Sequence, residues 1–266
     1  GSDTDGIPDG DDSVKITNHN VIVTANAGFG HLDFTSTVTI EPTVTINSGK
    51  SLTGYDTDED GAITLRAKNT GVGVRTLTLN INGGTVSCTS LSISNTTSKS
   101  RVILNVSNGG TLTIENNLTL SAFGADTDVQ LLANTGTGNT LNLGGTIIGI
   151  STSDGVIDMG SSAGVSTFNF NGSSAQTIQF DDPTDLIYSD IQVSNAAGVT
   201  LGSASASANF TGDLTISAAG VFNDGGFANV FVGDIANAGT YNGSGSIDLS
   251  GDFTNSGTFT SSGSID

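Results

Sequence analysis

The chain has 266 residues, 26 acidic side chains against 7 basic ones and a formal net charge of −19. Such a surface repels phosphate backbones and anionic lipid, which argues against nucleic-acid binding and direct membrane association. Gly (37 residues), Ser, Thr and Asn dominate, and only 12% of residues are charged, so helix propensity is poor in any window and strands and turns are what the composition leaves.

The first segment, 1–12, is acidic: Asp3, Asp5, Asp9 and Asp12 stand at short intervals among Gly6 and Gly10. Carboxylates at alternate positions, with Gly permitting a tight turn, suit a hard cation that takes oxygen ligands, so a structural Ca2+ is the expected cofactor here. From Ser13 onward short alternating runs recur, among them Val21-Ile22-Val23, Val44-Thr45-Ile46, Leu77-Thr78-Leu79, Val102-Ile103-Leu104 and Leu112-Thr113-Ile114. Turn signals such as Asn47-Ser48-Gly49, Asn82-Gly83-Gly84 and Asn108-Gly109-Gly110 separate them. Asp56, Asp58 and Asp60 form a second acidic loop, closed by Gly61 like the first half of an EF-hand loop, but Ala67 stands where the bidentate Glu belongs. Cys88 is the only cysteine, which excludes an intramolecular disulfide, and its alternation with Val86 makes it a small core residue.

All seven basic residues (Lys15, Lys50, Arg66, Lys68, Arg75, Lys99, Arg101) precede position 102, so the rest of the chain carries −15 and the first part −4. No apolar run reaches the roughly 20 residues of a spanning helix. Asp181, Asp182, Asp185 and Asp190 are the one carboxylate cluster that suggests glycosidase chemistry. No basic residue accompanies them, and Pro183 makes the segment a turn. His19 and His31 show no ligand spacing and read as surface residues. With no Trp, the candidate sugar-stacking platforms are Tyr55 and Tyr188 in loops.

The C-terminal part repeats. Gly233-Asp234-Ile235, Asn237, Gly239, Thr240 and Tyr241 recur as Gly251-Asp252-Phe253, Asn255, Gly257, Thr258 and Phe259, always with the same offset of eighteen. An earlier copy begins at Gly212-Asp213-Leu214. Such a period divides into three short strands and three turns, so the expected fold is all-β: a right-handed parallel β-helix (β-solenoid) of triangular coils of about 18 to 22 residues over 13–266. The chain is expected to continue beyond Asp266, which falls within a repeat. A β-sandwich has short strands at similar spacing, but the tandem copy argues against it. Stacking then places Tyr241 by Phe259, Ile247 by Ile265, Asn237 by Asn255, Asp234 by Asp252 and Asp248 by Asp266. Like charges one strand spacing apart cost about 0.9 kcal/mol at a dielectric of 80 and about 3.5 kcal/mol at 20, so these aspartates are expected on exposed turns.

Two stretches carry a resemblance. Residues 12–27 continuing to 45–52, and residues 168–178 continuing through 191–201 to 212–216, resemble the β-strand repeats of large, adhesin-like bacterial surface proteins. Residues 3–12 are similar to the aspartate-rich calcium repeats of thrombospondin type 3. The first resemblance implies a secreted or cell-surface, non-catalytic protein that serves as a stalk or adhesive scaffold. Its partners would be other domains of the same long chain, then surface glycans or a host or substratum surface. A calcium-dependent ligand- or glycan-binding module is the alternative, and a polysaccharide-acting enzyme or an ice-binding solenoid, suggested by irregular Thr-x-Thr pairs, ranks below it.

Overall fold

The computed structural model describes residues 12–37, 40–55, 60–69, 73–123, 125, 128–149, 155–160, 165–179, 186–205 and 210–266. The protein is all-β, and every pairing between its strands is parallel. Parallel neighbours need a crossover, and here the crossovers are themselves strands of other sheets.

One sheet orders Ser13–Thr17, His31–Ser36, Ile63–Ala67, Leu91–Asn95, Leu118–Ser121 and Ile147–Ile148. A second orders Val21–Val23, Thr43–Asn47, Arg75–Asn82, Ser100–Ser107, Val129–Thr135, Val156–Asp158 and Leu186–Ile187. The third has ten strands, from Ala27–Phe29 through Ser51–Gly54, Thr85–Cys88, Thr111–Ile114, Asn139–Leu143, Ser166–Phe170, Asp190–Val193, Leu214–Ile216 and Ile235–Asn237 to Phe253–Asn255. The chain visits the three in turn, then starts again one strand further on. From Gln176 a five-stranded sheet ending at Thr258–Ser261 takes the first sheet's place in that order, and the pair Asn229–Phe231 and Ile247–Leu249 takes the second's. This topology is compatible with a β-solenoid.

Alternation explains the strands. In Leu77-Thr78-Leu79-Asn80-Ile81 the three aliphatic residues are fully buried while Thr78 and Asn80 face outward, the period of two that a half-buried strand requires. Parallel register then stacks like on like. In the ten-stranded sheet an unbroken column runs Leu52, Val86, Leu112, Leu141, Phe168, Ile191, Leu214, Ile235, Phe253, all buried except the last. Burying each such side chain contributes roughly 1.5–3 kcal/mol, so the stack is held coil by coil.

The register corrects one expectation. The 18-residue offset holds between Ile235 and Phe253 and between Tyr241 and Phe259. Earlier, Leu32 pairs with Ile63, Leu52 with Val86 and Leu141 with Phe168, so a coil there takes roughly 30 residues. Coils of about 18 to 22 residues therefore describe the C-terminal part and the first step of the first sheet, from Ser13 to His31, but not the middle. The middle has longer ones, with longer connections and some longer strands, such as the eight-residue Arg75–Asn82 and Ser100–Ser107. Ten strands at about 4.8 Å place roughly 43 Å between the outermost strands of the longest sheet.

Polar side chains at the bends satisfy themselves internally. The fully buried Asn139 donates to Ala133 O and Thr135 O (3.1 Å each) and accepts from Gly109 N (3.0 Å). Gln176 donates to Leu143 O (2.8 Å) and Gly145 O (2.7 Å) and accepts from Gly172 N and Asn195 Nδ2 (2.9 Å each). These bonds remove the cost that a polar corner would otherwise place in the core.

Candidate functional site

Asp12 and Asp60 are the only expected calcium ligands that fall among the described residues; Asp3, Asp5, Asp9, Asp56 and Asp58 lie outside them. The fold brings Asp12 and Asp60 to one corner. Gly30 N donates to Asp12 O (2.8 Å) and Gly61 N to Gly30 O (2.6 Å), which puts the two aspartates two strand spacings apart, about 9.6 Å. Two aspartate side chains can bridge such a backbone separation around one cation, whose oxygen ligands lie about 2.3–2.6 Å away. Asp60 Oδ1 accepts from Ala62 N (3.0 Å) and meets His31 Nδ1 (2.8 Å). Partial burial raises the Asp60 carboxyl, but the hydrogen bonds from His31 and the Ala62 N–H outweigh it and leave its pKa lowered. Among the described residues no three His, Cys, Asp or Glu side chains converge as a metal site. The pairing of His31 with Asp60 was invisible in the sequence, since a whole coil of chain separates them.

The aspartate column is longer than the repeat suggested. Asp190 Oδ1 accepts from Asp213 N (3.0 Å), Asp213 Oδ1 from Asp234 N (2.8 Å) and Asp234 Oδ1 from Asp252 N (2.7 Å). Each carboxylate thus caps the backbone of the next coil, which offsets the repulsion between neighbours. Glycine before each later aspartate makes the approach possible: a Cβ at Gly251 would sit 2.5 Å from both Asp234 Oδ1 and Gly233 O. Asp234 and Asp252 are exposed, as are Asp248 and Asp266. The amide pair also forms, with Asn237 Nδ2 donating to Asn255 Oδ1 (2.8 Å).

Asp224 is a carboxylate that sequence reasoning missed. It is 1% exposed and accepts from Gly226 N (2.8 Å), Ser244 N (3.2 Å) and Gly245 N (3.1 Å), tying two successive coils together. Its job is architectural. Asp181, Asp182 and Asp185 lie outside the described residues, while Asp190 belongs to the column above. Cys88 is buried in line with Ile114, and burial, then the nearby charge of Glu115, pushes its thiol up to about 12. Tyr188 is no platform: it is fully buried with its ring 5.3 Å from Phe168, edge to face. Tyr55 stays 46% exposed.

A second missed feature is basic. Lys15, Arg66 and Lys68 border a groove of about 520 Å³ whose floor is Thr35 and Ser36. The register Thr17, Thr35, Arg66 stacks these three outward on successive strands, and Lys68 N donates to Ser36 O (2.8 Å). The alternation Arg66-Ala67-Lys68 is legible in the sequence, but its meeting with Lys15 and Thr35 needs the register. Compared with known proteins, the chain matches no family model, no curated protein and no solved structure.

Proposed function

We propose that this chain is a non-catalytic spacer: a right-handed parallel β-solenoid of triangular coils, forming a stalk or adhesive scaffold segment of a long extracellular bacterial surface protein. The observation that carries the reading is the three-sheet rotation, in which each strand pairs in parallel with the strand of the preceding coil and like side chains stack. A fold built this way adds length by adding coils and asks nothing of any single side chain beyond fitting its column. The polar residues the fold holds most firmly, Asp224, Asn139 and Gln176, spend their bonds on backbone groups and, for Gln176, on the Asn195 amide, which fits a scaffold better than a catalytic centre.

Antibodies against the chain, applied to intact source cells, test the placement. Labelling of whole cells that is removed by external protease supports it, whereas labelling only after lysis overturns it. A screen on neutral and acidic polysaccharides tests the non-catalytic part, and turnover that Asp182→Asn abolishes would replace the spacer with an enzyme. Calcium enters the proposal through 1–12 and 56–60. A melting temperature that rises with millimolar calcium supports that role by mass action, and an unchanged one removes it.

A further inference from the structure

We propose that the groove over Thr35 and Ser36 binds the anionic unit of a short acidic saccharide, with Arg66 and Lys68 taking the carboxylate or sulfate and Lys15 a second acidic group. The proposal goes beyond the spacer reading and does not depend on it, since a coil stack that binds nothing is still a stack. Its first support is charge. The chain has 26 carboxylates for 7 Lys and Arg, yet among the described residues neither Arg66 nor Lys68 forms an ion pair, while Lys15 reaches Asp33 only at 4.0 Å. Two neighbouring cations left unpaired in so acidic a protein, over a concave surface, make a local reversal of its field.

Geometry supplies the second support. Arg66 and Lys68 are alternate residues on one side of the chain, about 6.6 Å apart, and Lys15 lies two coils away, about 9.6 Å across the sheet. Between them Thr35 and Ser36 are 5% and 4% exposed and form the floor, with Thr17, Thr37 and Thr96 on the walls. The walls are held in place before any ligand arrives. Thr17 and Thr35 share a hydroxyl hydrogen bond (3.3 Å), and Asn18 clamps Thr37 twice, donating to its Oγ1 and accepting from its N–H (3.1 Å each).

The lining decides the ligand class. Hydroxyls that both donate and accept match the hydroxyls of a sugar ring, and a groove of about 520 Å³ has room for rings where a bare phosphate would leave it largely empty. A neutral sugar would desolvate two cations without pairing them, which costs binding. A long polyanion would have to run on from the groove along a surface that carries −15 over residues 102–266, so the ligand is short.

Calorimetric titration of the whole chain with trigalacturonate tests this, alongside a neutral trisaccharide, inorganic phosphate and a short single-stranded oligonucleotide. Saturable binding of trigalacturonate alone is expected, weakening as salt rises. The double variant Arg66→Gln/Lys68→Gln should lose on the order of tenfold in affinity while melting as the parent does, because each charge-assisted hydrogen bond is lost from an exposed wall. Lys50→Gln, which removes one charge away from the groove, should leave binding unchanged. The proposal is overturned by no binding of trigalacturonate, by binding that survives the double variant, by an equal loss in Lys50→Gln, or by phosphate, the neutral sugar or the oligonucleotide binding as tightly.

Discussion

Replacing Tyr241 by Phe should make this protein more stable, against the usual direction for a core substitution. The ring sits in an aromatic column, paired in register with Phe222 before it and Phe259 after it, at centroid distances of 5.3 and 4.8 Å. Both neighbours in the column are Phe, so the ring is needed and the hydroxyl is not. That hydroxyl is buried and has no hydrogen-bond partner among the described residues. An unsatisfied buried hydroxyl costs about 1–3 kcal/mol, and some of this is returned as van der Waals contact that Phe would forfeit. A net gain of about 1 kcal/mol follows, or roughly 2–4 °C in melting temperature for a chain of this size. Urea denaturation followed by circular dichroism, with Tyr241→Ala as the cavity control expected to lose about 3–5 kcal/mol, measures it. The pH dependence provides a second signature. Burial, and then the charge of Asp224, hold the Tyr241 phenol protonated well above its ordinary value of 10.0. Its contribution is therefore complete below pH 10 and is lost as the pH climbs further, so the advantage of Phe should widen in alkali. A Phe variant that melts below the parent at neutral pH would refute the reasoning, because the hydroxyl would then have to be bonded.

The aspartate column and the buried thiol give further expectations. Asp234→Ala removes the acceptor of Asp252 N and should cost about 1 kcal/mol, whereas Gly233→Ala should cost more, since its Cβ would overlap Gly212 O and the Asp213 carboxylate. Thermal melts compare them, and a Gly233→Ala chain that melts like the parent would mean the coils are not in contact there. Asp224→Ala strips three backbone N–H groups of their buried acceptor and should cost about 3 kcal/mol in the same melts. Cys88, raised from 9.0 to about 12 by burial, stabilises fully below pH 9 and gives that up between pH 9 and 12. Thiol reagents at pH 8 should therefore modify it only in denaturant, and Cys88→Ala should flatten the fall of stability between pH 9 and 12.

The strands were legible in the sequence because alternation is a local property: Val21–Val23, Thr43–Asn47 and Thr111–Ile114 lie where their patterns placed them. Register was legible only where turns have constant length. From Ile235 onward the coil length is constant, so Tyr241 by Phe259 and Ile247 by Ile265 follow by counting. Upstream the turns vary, and counting fails even though stacking does not. Thr111, from one of the irregular Thr-x-Thr pairs, shows this well: it stands in one outward column with Thr85, Thr140 and Thr167, none of which belongs to such a pair. Tyr188 was misplaced as a loop residue because the strand Leu186–Ile187 before it is two residues long, too short for alternation to mark its inward side.

The same separation of strand from turn explains where chemistry is found on this fold. Inward positions answer to the residues above and below them: Cys88 lies in a column with Ile114, Leu143, Phe170, Val193 and Ile216, and the polar Asn237 that follows in that column bonds the Thr258 carbonyl and the Asn255 amide. Turns answer to little beyond their own ends, which is why the coils can shorten so much toward the C-terminal part without breaking the column from Leu52 to Phe253. Binding residues can therefore arise only outside, where side chains from successive coils meet, and their sequence separation is a whole coil. Lys15, Thr35 and Arg66 obey that rule, as do His31 and Asp60. A cluster of this kind leaves no local motif, so it becomes visible once the register is known and not before.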